Sequence, residues 1–267
     1  MKTLSLKLAI SLLCVSVFAV AAYADSCAVD PTQSQCEPSF SLTWQVMGSG
    51  QVHPGTGSAP VWQGGHWLIN VMPQDGPGFT FTGGQVAANP SDPFLTFSFG
   101  VINVTNNQSL IFNYNYSTPF SGTLPIGVAK TFFSDRLQYT GASGGHISVA
   151  PDPGGSFPDN FLQNTYVDGV LISSFSLGKG CIATEGSPCS SAGPFTVSEL
   201  YSHSANGTLE IQGQFIIGFA NGVSGQMGTY GIQGQTNLDP LPEPGSLLLL
   251  GTGILGLAGV VRRKVSP

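Results

Sequence analysis

The chain has 267 residues, a formal net charge of −6 and only 8% charged residues, far below the roughly 25% of ordinary soluble domains. Its 36 glycines and 19 prolines follow no G-x-y period, which excludes a collagen-like rod, and its 10% aromatic content excludes a disordered polymer. A β-rich domain with many glycine turns, flanked by accessory segments, fits what remains.

Residues 1–24 read MKTLSLKLAISLLCVSVFAVAAYA. Lys2 and Lys7, an apolar stretch and Ala22-Tyr23-Ala24 form the n-region, h-region and A-x-A site of a secretory signal cut after Ala24; the alternative is an uncut N-terminal anchor. The predicted division is a signal peptide at 1–24, an ectodomain at 25–238 and a C-terminal segment at 239–267. Between Asp25 and Leu241 only Lys130, Arg136 and Lys179 are basic, against 13 acidic residues, a balance of −10. Such a surface repels phosphate backbones, so nucleic acid is excluded as a partner. With Cys14 in the signal, Cys27, Cys36, Cys181 and Cys189 remain. Four cysteines allow three pairings. The local pairs Cys27–Cys36 and Cys181–Cys189 are expected because each closes a short polar loop in an oxidising compartment. No C-x-x-C and no zinc-finger histidine spacing supports a metal instead.

Strands are predicted at Phe40–Val46, Val61–Val71 and Gly78–Phe81. Trp62 and Trp67 bracket Gln-Gly-Gly-His and read as core aromatics rather than sugar platforms, since Leu68 and Ile69 follow. Leu95, Phe97, Phe99 and Val101 alternate with polar residues, as do Leu110, Phe112, Tyr114 and Tyr116; each segment reads as a half-buried strand. With Asn106-Asn107 as a turn, the two are expected to pair as a hairpin. Further strands are predicted at Gly127–Phe133, Ile147–Ala150 and Thr165–Ser174. Adjacent Asp135 and Arg136 are expected to form a structural ion pair.

The Asn206-Gly207 dipeptide suits a type I′ turn. A two-residue loop there would set His203 against Glu210, Tyr201 against Gln212 and Glu199 against Gln214, with Leu200, Leu209, Ile211, Phe215 and Ile217 on the greasy face. The tetrapeptide Ile-Gln-Gly-Gln occurs at Ile211–Gln214 and again at Ile232–Gln235. Its glutamines are expected to share one outward face, so Tyr201, Gln212, Gln214, Gln233 and Gln235 form a candidate surface for hydroxyl-rich glycans. Many short strands separated by Gly and Pro clusters, with no sustained 3.6-residue period, predict an all-β, antiparallel β-sandwich or jelly roll.

No catalytic residue, metal ligand or cofactor is predicted. Gly141–Gly145 matches G-x-S-x-G around Ser143, but the match is cheap in so glycine-rich a chain and no helix follows. Asp152 and Asp159 flank a Pro/Gly loop and fall short of the six to eight oxygens that calcium takes. His53, His66, His146 and His203 are dispersed.

The chain ends LPEPGSLLLLGTGILGLAGVVRRKVSP. Leu247–Val261 as a helix spans about 22 Å at 1.5 Å per residue, and about 27 Å when counted from Pro244, enough for a thinned bilayer. A transmembrane helix is predicted at about 245–261, with Arg262, Arg263 and Lys264 as a cytoplasmic stop. Pro242-Glu243-Pro244, the Leu/Gly run and the basic cluster together resemble the PEP-CTERM sorting signal of Gram-negative bacteria. Segments of this kind also occur on proteins labelled ice-binding. The resemblance implies handling by exosortase, a membrane protease and transpeptidase, with loss of the tail and a role in exopolysaccharide or biofilm. Leu241–Gly245 also resembles the LPxTG sortase motif, but Pro244 stands where Thr should. The expected protein is secreted, passes transiently through the inner membrane and reaches the cell surface or matrix as a structural or adhesive component. A glycan- or ice-surface-binding module and a secreted hydrolase are the alternatives.

Overall fold

A computed structural model describes residues 27, 30–76, 78–91, 93–103, 109–121, 126–140, 145–150, 163–175, 181–189, 195–202, 206–220, 227–240 and 252. The signal peptide, Ser143, Asp152, Asp159, His203, the Pro242–Pro244 motif, the basic stop and the predicted membrane helix (Thr252 apart) lie outside the described residues. Among those residues no helix is long and apolar enough to cross a membrane.

The described residues form two antiparallel sheets facing each other across one apolar core. The first sheet holds β1 (Ser39–Val46), β2 (Val52–Pro54), β8 (Leu110–Ser121), β10 (His146–Ala150), β11 (Gln163–Val167), β12 (Val170–Phe175), β13 (Cys181–Thr184) and β15 (Asn206–Ala220). The second holds β3 (Val61–Gln63), β4 (His66–Val71), β5 (Gln74–Gly76), β6 (Phe79–Asn89), β7 (Phe94–Asn103), β9 (Ile126–Thr140), β14 (Phe195–Ser202) and β16 (Met227–Pro240).

The pairing is nested. Strand β7 pairs with β16, β8 with β15, β9 with β14, β10 with β13 and β11 with β12. The chain folds back on itself as one long antiparallel ribbon; successive levels alternate between sheets down to β10–β13, and the innermost hairpin, β11–β12, stays in the first sheet. This is jelly-roll winding. It closes only when residues as distant as Phe94 and Asn237 meet.

Alternation explains the core. In β7, Leu95, Phe97, Phe99 and Val101 point inward and are buried; in β8, Leu110, Phe112, Tyr114 and Tyr116 do the same. The two strands belong to different sheets, so the expected hairpin between them does not form. Their greasy faces meet across the sandwich: Phe97 lies 5.1 Å from Tyr114 and 5.0 Å from Tyr116, and Phe99 meets Tyr114 edge-on at 5.5 Å. Trp44 against Phe79 at 4.6 Å and Phe215 against Tyr230 at 5.0 Å continue this aromatic seam between the sheets. Each such ring contributes about 1.5–3 kcal/mol by burial alone.

The Asn206-Gly207 hairpin is also corrected. Asn206 is already inside β15 and pairs with Ser121 of β8, while β14 lies in the other sheet against β9. The predicted facing pairs Tyr201–Gln212 and Glu199–Gln214 therefore do not form. Leu209, Ile211, Phe215 and Ile217 are buried as expected, but Leu200 is 68% exposed on the edge strand β14. Conversely, Val61–Val71 and Thr165–Ser174 are each two strands. Gly64-Gly65 separates β3 from β4 and Asp168-Gly169 separates β11 from β12, with φ of 62°, 84°, 51° and 75° in turn. Both residues of each pair have positive φ, the requirement of a type I′ hairpin turn.

Both local disulfides are present, Cys27–Cys36 and Cys181–Cys189. The first closes an N-terminal loop whose Pro31 carbonyl accepts the Trp67 indole N–H at 2.9 Å. Within that loop the Thr32 hydroxyl and N–H both donate to Asp30, holding its carboxyl below the usual range. The second joins β13 of the first sheet to Cys189, whose N–H and C=O exchange hydrogen bonds with Leu137 of β9 in the second sheet at 3.0 and 2.8 Å. It thus staples the two sheets together.

Candidate functional site

Trp67 is buried and Trp62 half-buried, with their rings edge to face at 5.6 Å. Asp135 and Arg136 are consecutive in β9, so alternation sends Asp135 inward and Arg136 outward. The predicted ion pair is therefore not made. Buried Asp135 instead accepts the Tyr230 hydroxyl at 3.1 Å. Burial, reinforced by the nearby Asp135 charge, pushes the Tyr114 and Tyr230 hydroxyls well above their ordinary range. Among the described residues no group of three or more His, Cys, Asp or Glu is arranged to hold a metal ion.

The predicted five-residue glycan face is divided by the fold. Tyr201 points inward and is 4% exposed, with its hydroxyl held above its ordinary range first by burial and then by Asp239. Gln212 and Gln214 lie on β15 in the first sheet, and Gln233 and Gln235 on β16 in the second. The repeated tetrapeptide thus faces opposite sides of the sandwich. On the first sheet the amides are spent on neighbours. Gln214 donates to Asn113 directly across the strand pair, and both Gln212 and Asn115 donate to Glu210, at 2.7 and 2.6 Å.

The outer face of the second sheet carries a longer polar row, and there too Gln85 donates to Asn70 at 3.3 Å and Gln235 to Asn237 at 2.9 Å. Register places Asn70, Gln85, Ser98, Gln233 and Ser134 in one row across β4, β6, β7, β16 and β9. At about 4.8 Å per strand the row runs about 19 Å. The adjoining row carries Thr96, Gln235 and Phe132. Between the rows is a depression of about 440 Å³ lined by Gln85, Thr96, Ser98, Phe132, Gln233 and Gln235, among others. One step along the same strands lies a second depression of about 290 Å³, with Gly100 and Gly231 in its lining beside Thr82, Arg136, Gln138 and Thr229. Neither lining contains a carboxylate. Amides and hydroxyls supply donors and acceptors together without charge, and Phe132 adds a half-buried ring. That set suits a neutral, hydroxyl-rich ligand lying on the sheet.

Alternation was enough to mark Thr96, Ser98, Gln233 and Gln235 as outward. Gln85, Phe132 and Gly231 escaped sequence reasoning, because only the register between distant strands sets them beside these residues.

Strand β16 ends at Pro240, where the C-terminal segment begins. The sequence model of the PEP-CTERM protein-sorting motif matches residues 240–264. The chain carries a PEP-CTERM protein-sorting motif. The motif marks an exported protein recognised by exosortase, itself a membrane protein, and sorted to the cell surface. The match covers the tail and not the sandwich. No curated protein matches this PEP-CTERM chain.

Likeness to solved structures is slight. A β-glucosidase from Kluyveromyces marxianus shares 10% identity over 51% of this chain and 12% of its own, with a TM-score of 0.13. A GH31 α-xylosidase from Xanthomonas citri shares 8% identity over 74% and 38%, with a TM-score of 0.10. The structure of infectious bursal disease virus Gx strain shares 9% identity over 81% and 67%, with a TM-score of 0.15. The chain therefore spans well under half the length of the first two, and scores this low carry no argument about fold or function.

Proposed function

We propose that this PEP-CTERM protein is a secreted envelope or extracellular-matrix component, structural or adhesive in exopolysaccharide, and that it performs no catalysis. The signal peptide is removed after Ala24, the helix at about 245–261 holds the chain in the inner membrane, and exosortase then acts at Pro242–Pro244. The observation that carries the reading is the sorting motif at residues 240–264. The composition supports it: a sandwich with few charges and faces rich in amides and hydroxyls is compatible with a hydrated polysaccharide gel. A second reading, a glycan- or ice-surface-binding module, is favoured by the depression on the second sheet.

Fractionation of host cells tests the proposal. The protein is expected to co-sediment with matrix polysaccharide and to be released when that polymer is digested. Recovery solely from the cytoplasmic membrane or the culture medium overturns it.

A further inference from the structure

The two depressions on the second sheet adjoin along the same three strands. Strand β7 supplies Thr96 and Ser98 to the first and Gly100 to the second; β16 supplies Gln235 and Gln233, then Gly231 and Thr229; β9 supplies Phe132, then Arg136 and Gln138. Together they make one shallow groove running parallel to β16, about 20 Å from residue 235 to residue 229 at 3.4 Å per residue. Its floor drops where Gly231 faces Gly100 across the β16–β7 ladder and Arg136 across β16–β9.

We propose that this groove binds a neutral polysaccharide chain laid along β16. Gln85, Gln233 and Ser98 hydrogen-bond its hydroxyls, and Phe132 packs against an apolar sugar face. The proposal rests on the polysaccharide-associated role above and gives that role a surface. Three observations carry it. The first is shape: the groove is open along its length, as a polymer requires, and a small molecule would instead be buried on most sides. The second is chemistry: its polar groups are almost all uncharged amides and hydroxyls, each able to meet a sugar hydroxyl as donor or acceptor. The third is charge: a balance of −10 between Asp25 and Leu241 disfavours polyanions, and Arg136 is the sole charged group in the two linings.

The structure offers an unusual test. A Cβ added at Gly231 meets nothing within 4 Å, and Gly231 is exposed within a strand. Gly231→Ile should therefore fold at least as well as the native chain, since glycine in a strand interior is unfavourable and β-branched residues suit strands. Its side chain nevertheless occupies the groove. Ser41→Ile places the same bulk on exposed β1 of the opposite sheet and serves as the control.

Full-length mature protein is assayed for retention on host exopolysaccharide, on a panel of neutral oligosaccharides, on a polyuronate and on ice. Retention on a neutral glycan, lost at least tenfold in Gly231→Ile and in the Gln233→Ala/Gln235→Ala double variant but kept in Ser41→Ile, is the expected result. Neutral-glycan retention unchanged in both groove variants overturns the groove and leaves the polysaccharide role standing. Preference for polyuronate or ice overturns the ligand class. No retention on any polymer overturns both the groove and the adhesive reading.

Discussion

Gln163 shows how individual side chains tune this core. It is fully buried at the start of β11, and among the described residues neither of its amide atoms has a hydrogen-bond partner. It packs against Gly234, where a Cβ would run into the Gln163 amide and the Phe97 ring. Beside it a hydroxyl chain links the sheets, with Thr165 3.4 Å from Thr236 and Thr236 3.2 Å from Thr131. A buried amide without partners costs about 1–3 kcal/mol. Gln163→Met keeps the volume and removes the unpaired atoms, so urea denaturation should show a gain of that order; a loss would mean that the amide is bonded in solution. The buried tyrosines make a second prediction. Tyr114, Tyr116 and Tyr230 hold their protons in the folded state well above the ordinary value, mainly through burial. The unfolded chain releases those protons near pH 10. Stability is thus intact below pH 10 and falls as pH rises from there toward the folded-state values, because the unfolded state then binds fewer protons. Alkaline titration should show tyrosinate absorbance rising together with unfolding; ionisation of Tyr114, Tyr116 and Tyr230 in a still-folded chain would contradict this.

At the scale of elements, Cys181–Cys189 is the informative staple. It closes a short loop, and Cys189 extends the second sheet by bonding Leu137 beyond the end of β14. Replacing both cysteines by serine should lower stability by about 2–4 kcal/mol, measured by denaturation under oxidising conditions; no change would mean that the disulfide does not hold the sheets together. Which face of β7 and β8 is buried was legible in the sequence, since their alternation needs no partner to be read, whereas β14 reads inverted: Tyr201 is buried and Leu200 exposed. Which strand pairs with which was not legible. Two alternating segments a few residues apart, such as β7 and β8, can pair side by side or face each other across a core, and period-two patterning is identical in both cases. The turns carried a signal that was partly overlooked. Gly64-Gly65 and Asp168-Gly169 are hairpin dipeptides inside what reads as continuous strand. Asn206-Gly207 has the same chemistry, but β8 claims Asn206 and Gly207 as ladder positions. The candidate groove inherits this limit. Its glutamines on β16 were visible, but Gln85 and Phe132 reach them only through registers that join residues far apart in sequence.

On the scale of the whole molecule, the sandwich and the tail do separate jobs. The nested ribbon leaves β16 in the middle of the second sheet, with β7 and β9 on either side, and the chain leaves that strand at Pro240 directly into the sorting segment. The ectodomain's closing strand and its sorting motif are therefore adjacent, and cleavage near Pro242–Pro244 would remove the tail without taking a strand from either sheet. Under the proposed function the tail is a temporary anchor read by exosortase. Intact-mass spectrometry of the protein from its host tests it most directly, comparing the native chain with one lacking Pro242–Pro244. The account predicts a native mass that ends near the motif and lacks Arg262–Lys264, and a deletion variant that keeps its full C-terminus in the membrane fraction. A native protein that retains its complete C-terminus at the cell surface would contradict it.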